Sequence, residues 1–132
     1  MRRSIALFAL SVLVSAAALG HGGEETVTPI AAAQLPAQAG SHAQALRVEF
    51  APGQTSVPHR HPGPVFVVVV SGEVESALDD QPPQRFKAGE AWYEAPGQVH
   101  RVTRNPSARE PAVLVAWLLS DGDTPLVTPV SP

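Results

Sequence analysis

The chain contains no cysteine. That excludes a disulfide framework, a thiolate metal centre and a cysteine nucleophile, so any metal must be held by histidine and carboxylate. An excess of positive charge is missing too. Nine lysines and arginines stand against twelve acids. Without Arg2 and Arg3, which belong to the leader described below, seven stand against twelve, a net charge of −5 with histidine neutral. That balance argues against nucleic acid as a partner, because phosphate contacts need a basic face. Past residue 20 no apolar run is long enough to span a bilayer, so no membrane partner is expected once the leader is gone. Long helices are disfavoured by 14 prolines, which suit strands joined by turns. The 132 residues supply one modest core.

Residues 1–20, MRRSIALFALSVLVSAAALG, have the layout of a secretory signal peptide: Arg2 and Arg3, an apolar stretch over 5–14, then small residues. An uncleaved anchor is the competing interpretation, but the run is near the lower length limit for spanning. Ala16-Ala17-Ala18 and Ala18-Leu19-Gly20 are the two small-x-small cleavage candidates. The mature protein is expected in a periplasm or in the medium, starting near residue 19 or 21.

Residues 21–45 read as a flexible N-terminal arm, interrupted at Pro36, that becomes structured near its end. The arm's histidines, His21 and His42, read as solvated side chains. Strand periodicity begins in LRVEF, where Leu46, Val48 and Phe50 alternate with Arg47 and Glu49. The β-branched run over 65–70 predicts a strand covered on both faces. EVESAL, a DDQPPQ hairpin loop, RFKAGEAWYE around Gly89, HRVTR and AVLVAWLL continue the series. Residues 46–120 form the barrel domain of this scheme, and the Pro/Thr-rich tail 121–132 is expected to wrap the surface or fray. Seven to nine short strands without a convincing helix indicate an all-β antiparallel sandwich or barrel. The valines over 67–70, Phe50, Trp92 and Trp117 are assigned to its core. Ser71 and Ser76 have no base nearby in sequence, so no nucleophilic serine is expected.

Two imidazoles stand at the mouth of the valine strand in HRHPGPVFVVVVSG. Residues i and i+2 of an extended segment share a face, and Pro58 and Pro62 hold the preceding residues extended. His59 and His61 can therefore bind one metal ion, at about 2.1 Å per nitrogen. Alone, such a pair is more often a solvated surface feature. His100 strengthens the case. If 95–99 is a five-residue hairpin loop, Glu94 and His100 lie opposite each other and face the same way, with Trp92 and Val102 as the next pair.

These residues carry a resemblance to the cupins, small double-stranded β-helix (jelly-roll) barrels. The first cupin motif is matched by Gly53, His59, His61 and Gly72, and the second by Gly89, Gly97 and His100, in the right order. The resemblance spans 46–119, about two thirds of the mature chain. It implies a cupin-type barrel, a mononuclear divalent transition metal (Fe, Mn, Ni, Cu or Zn) on His59, His61 and His100, and a homodimer paired through sheet edges. Three positions depart from the pattern. Val65 stands where the family has its metal-binding glutamate, Ala95 replaces proline, and Arg104 replaces asparagine with Asn105 one place late. Glu94 is the candidate substitute for the missing carboxylate, as fourth ligand or as general base. An acid projecting into an apolar interior is costly unless paired or metal-bound. The opposing interpretation has Glu94 pointing outward or pairing with Arg101 or Arg104.

Two function classes follow. One is a metal-dependent enzyme acting on a small organic molecule, dioxygenase-like by resemblance, with an isomerase or lyase as a variant. The other is a non-catalytic module that binds metal or a small ligand. Val65 favours the second, and the three histidines with Glu94 favour the first. An apolar interior without basic residues suits a small, partly aromatic or enolic substrate better than a sugar phosphate.

The leader generates its own test. Intact-mass measurement of protein exported from its full-length gene should give a chain beginning at Leu19 or His21. Recovery of the uncleaved chain in the membrane fraction would establish an anchor instead.

Overall fold

Apolar–polar alternation in the sequence is realised as ten strands in a computed structural model, which describes residues 25–34 and 42–131. They are β1 (Thr26–Gln34), β2 (His42–Phe50), β3 (His59–Arg60), β4 (Val65–Ser71), β5 (Glu73–Leu78), β6 (Gln84–Lys87), β7 (Ala91–Glu94), β8 (Val99–Arg104), β9 (Ala112–Ser120) and β10 (Thr128–Pro129). No helix occurs among the described residues. The strands form two five-stranded antiparallel sheets, ordered β1-β2-β9-β4-β7 and β10-β3-β8-β5-β6. This is the expected all-β double-stranded barrel.

The core comes from the inward positions of the first sheet. Leu46 and Phe50 on β2, Val65, Val67 and Val69 on β4, and Leu114 and Leu118 on β9 are all buried, joined by Val74 of β5. Period-two alternation is strictest on β4, and it corrects one expectation. The valine strand is covered on one face only. Phe66, Val68 and Val70 point outward and are 43–55% exposed. Trp117 of β9, 40% exposed, sits beside Phe66 on the same outer face and is not core.

The N-terminal arm is also revised. Strand β2 begins at His42, four residues before Leu46, and β1 runs antiparallel to it, with Val27 opposite Val48. Cross-strand hydrogen bonding thus orders residues that sequence periodicity left as an arm. His42 is half-buried against Gly122, not a solvated side chain. His21 and residues 1–20 lie outside the described residues. The tail wraps the barrel: β10 pairs with β3.

Strands β7 and β8 are not a hairpin. β7 pairs with β4 in one sheet, and β8 pairs with β3 and β5 in the other, so the loop between them crosses the barrel. Gly97, at φ +74°, makes the turn that allows the crossing, and its N–H donates to the His61 carbonyl at 2.8 Å. The late asparagine is structural. Asn105 is buried and its amide donates to the carbonyls of Ala51 and Glu110 at 3.2 and 2.8 Å, tying the end of β2 to the loop before β9.

The Pro-Gly-Pro break brings Gly63 against β9 so closely that a Cβ there would overlap the Leu119 carbonyl. Gly63→Ala should therefore cost about 1–3 kcal/mol of stability, the usual range for overpacking. Urea denaturation should show a lower midpoint with unchanged slope. An unchanged midpoint would contradict the close approach.

Candidate metal centre

His59 and His100 are direct ladder partners across β3 and β8, and His61 follows β3 on the same side as His59. The ring centroids lie 4.9 Å apart for His59–His61 and 5.2 Å for His59–His100. One ligand nitrogen from each ring can be chosen so that all three fall within 4.8 Å of one another. The sequence-predicted triad is therefore assembled as expected, and both i,i+2 histidines share the inner face.

Two of the three rings are oriented as metal ligands usually are. His59 Nδ1 donates to the Val57 carbonyl at 2.8 Å, and His61 Nδ1 donates to the Leu126 carbonyl at 2.7 Å. Both Nε2 atoms are thereby left as acceptors. His100 uses both nitrogens within the protein. Nδ1 faces Glu94 Oε1 at 3.0 Å, and Nε2 is 2.8 Å from both Ser76 Oγ and Thr103 Oγ1. Binding an ion through His100 therefore replaces one of these hydrogen bonds.

Glu94 points inward and is 1% exposed. Trp92 Nε1 donates to its Oε1 at 2.9 Å, and His61 Nε2 lies 3.5 Å from its Oε2. Oε2 is buried and has no hydrogen-bond partner among the described residues. Arg104 pairs instead with Glu75 at 2.6 Å, and Arg101 donates to the carbonyls of Asp79 and Gln81. The donor set fits a divalent cation: three imidazoles, one carboxylate, and a buried acceptor atom that lacks a partner.

The route from Glu94 to His100 differs from the one the hairpin implied. They face each other from opposite sheets, and Glu94 is the ladder partner of Val65. Val65 stands where the resemblance puts the family glutamate, and its side chain shares the inner face with that of Glu94.

Strand β8 holds a second surprise. Leu78 pairs with His100 and Ala77 with Val102, so Arg101 is an extra residue. This bulge shifts the phase of β8 and turns Thr103, not Val102, inward beside His100. Sequence alternation could not find Thr103. It also missed Ser76, which does have a base nearby: Glu94, His100 and Ser76 stand in acid–imidazole–hydroxyl order. Ser76 is 4% exposed and outside the cavity wall, so it orients the ring and does not meet a ligand.

The centre opens into a cavity of about 310 Å³. Leu46, Val48, Phe50, Val67 and Leu118 supply apolar wall, Trp92 borders the histidines, and the C-terminal residues Pro125, Leu126 and Val127 close one side. No lysine or arginine among the described residues lines it. That suits a small organic ligand and offers nothing for a phosphate.

Burial sets the protonation of the centre. It pushes His59 down to about 4, against a smaller opposing effect of its bond to Val57. Burial also lowers His61, partly offset by Glu94. For Glu94 burial alone would raise the value, but the contacts with His100, Trp92 and His61 outweigh it and hold the carboxyl below its usual range. Neutral His59 and His61 beside an ionised Glu94 are ready to receive a cation at neutral pH.

A double-stranded β-helix barrel carrying a three-histidine cluster beside its cavity is the class that fold and site define. The cupin-domain family profile matches residues 46–118, and the chain belongs to the cupin family. A conserved protein of unknown function with a double-stranded β-helix domain, from Klebsiella pneumoniae, has a similar structure. Its TM-score is 0.66 at 21% identity, over 98% of this chain and 100% of that one. Oxalate oxidase with the substrate analogue glycolate gives TM-score 0.64 and 24% identity, over 93% of this chain and 63% of that one. The DMSP lyase DddQ of Ruegeria pomeroyi gives 0.56 and 24%, over 63% of this chain and 41% of that one. At these identities the likeness establishes the fold, and the chain spans less than two thirds of both enzymes. Among curated proteins, no sequence match is found.

The depressed histidines give a pH prediction for the metal-free protein. The unfolded state binds protons near pH 6.5 that the folded His59 and His61 refuse, so stability rises with pH and is lost as pH falls from about 6.5 toward 4. The melting temperature should drop between pH 7 and pH 5, and His59→Ala/His61→Ala should flatten that drop. An equally steep drop in the double variant would contradict the assignment.

Proposed function

We propose that this protein is an exported, metal-dependent cupin oxidoreductase of the dioxygenase type that acts on a small organic substrate. His59, His61, His100 and Glu94 hold its ion. The observation that carries this reading is the buried, unpartnered Oε2 of Glu94, set beside the three histidines and facing an apolar cavity. A bound divalent ion supplies Lewis-acid polarisation and open coordination positions.

The chain's own groups do the rest. The Val57 and Leu126 carbonyls fix the His59 and His61 tautomers. Ser76 and Thr103 hold the His100 ring from behind. In the alternative where the three histidines alone hold the ion, Glu94 Oε2 is the acceptor able to take a proton from a bound enol or phenol. The apolar wall keeps water from the substrate. Export rests on the leader 1–20. Pairing of two copies is supported by apolar outer-face residues, Phe66 and Tyr93, beside the open edge of β7.

Lyase or isomerase chemistry is the second reading. It is favoured by the structural likeness to a DMSP lyase and by the same buried base.

Metal-loaded protein should turn over members of a panel of enediols and phenolics with uptake of dioxygen in an oxygen electrode. Glu94→Gln should lower kcat by about 10²-fold or more. Product formation without dioxygen uptake would establish the second reading. Loaded protein that is silent across the panel would leave a ligand-binding module. Unchanged metal affinity and activity in Glu94→Gln would remove Glu94 from the centre.

A further inference from the structure

Most polar side chains that line the cavity are buried: Ser56, His61, Glu94, His100 and Thr103. Gln44 of β2 lines it too but is only half-buried, so a ligand can reach it. The ladder fixes its place. Gln44, Leu118, Val65 and Glu94 are successive cross-strand partners on β2, β9, β4 and β7, and they form one row of the inner face. The adjacent inner row is Leu46, Ala116, Val67 and Trp92. The two rows make a cavity floor that is apolar in its middle. Its polar ends are Glu94 beside the histidines and Gln44 three strands away. A leucine at 44 would extend the apolar wall. The amide instead presents donors and an acceptor to the cavity.

Exposure along the floor shows where a ligand can lie. Val65 and Leu118 are each 1% exposed, whereas Trp92 and Ala116 keep accessible surface. The open path from the histidines to Gln44 runs over these two, and the small side chain of Ala116 leaves room at its middle. His59, also half-buried, borders the near end with Nε2 as an acceptor. At the far end the Gln44 amide donates and accepts without charge. No lysine or arginine among the described residues lines the cavity, so a carboxylate placed there would lack a counter-charge. The group that suits Gln44 is neutral and both donates and accepts, as a hydroxyl or a primary amide does. Three strand spacings, about 14 Å between backbones and less between side chains, bound the length of a ligand that touches both ends.

We propose that Gln44 is the specificity residue of this cavity and that its substrate is two-ended. One end is an enol or phenol at the histidines, the middle is apolar and lies over Ala116, and the other end is a neutral hydroxyl or amide held by Gln44. The inference deepens the function proposed above and rests on its reading of the cavity as the substrate chamber. It also gives β2 a role beyond the core: Leu46 and Phe50 pack the barrel, while Gln44 on the same inner face selects the ligand.

The experiment is calorimetric titration of the full protein, metal-free and metal-loaded, with matched pairs of para-substituted phenols. Each pair sets a hydroxyalkyl chain of about two to four carbons against the alkyl chain in which a methyl replaces the hydroxyl, as in 4-(3-hydroxypropyl)phenol and 4-butylphenol. Gln44→Met keeps the length of the side chain and removes its hydrogen bonds. For the chain length that best spans the floor, the alcohol-to-alkyl affinity ratio should fall by about three- to tenfold in Gln44→Met, the usual return of one hydrogen bond, with alkyl affinity unreduced. Ala116→Val narrows the path and should weaken both members of the pair alike. A ratio unchanged by Gln44→Met at every chain length, wild-type protein that binds none of the phenols, or affinities indifferent to Ala116→Val would overturn the proposal. A Gln44-dependent ratio in protein that takes up no metal would uphold Gln44 and overturn the metal-dependent function. Turnover of phenols with a ratio indifferent to Gln44 would do the reverse.

Discussion

A carboxylate held out of water must be stabilised by something, and Glu94 organises the barrel interior around that need. Its two oxygens face groups from both sheets: Trp92 on its own strand, and His61 and His100 on the other side. These contacts overcome the burial that would otherwise protonate it. The remaining structure holds them in place. The Gly97 turn binds the His61 carbonyl, the tail carbonyl of Leu126 fixes the His61 ring, and buried hydroxyls fix His100.

The position of that acid puts a carboxylate across the ladder from Val65, in the same inward layer. Val65 and Glu94 are cross-strand partners on β4 and β7, and their side chains share the inner face. A carboxylate on either strand reaches the same space. The valine fills the position with apolar volume, 1% exposed, and the neighbouring strand supplies the charge. Along β4 no acid accompanies the histidines, while across the ladder Glu94 stands beside them.

That difference marks the boundary of what the sequence discloses. Period-two alternation in LRVEF and the i,i+2 spacing of His59 and His61 are local, and they place the strand and the shared face of the two imidazoles correctly. The arrival of Glu94 beside His100 was foreseen through a hairpin that does not exist: β7 and β8 belong to different sheets, and the meeting is made by the crossing loop. The covered face assigned to the valine run failed because β-branched residues report strand propensity, whereas burial depends on the layer outside, which Phe66, Val68 and Val70 lack. Thr103 was hidden by the bulge at Arg101, which no periodicity reveals. Strand β1 was hidden because a strand at a sheet edge, made largely of threonine and alanine with one proline, carries little hydrophobic signal.

The proposed oxidoreductase chemistry depends on His59, His61 and His100 holding a metal ion. Metal content by mass spectrometry on tag-free protein, exported by its own leader, tests it most directly when measured beside His59→Ala/His61→Ala. The account predicts about one transition-metal ion per chain in the wild type and its loss in the double variant. Metal-free wild-type protein that also fails to take up any of Fe, Mn, Ni, Cu or Zn on dialysis would contradict it.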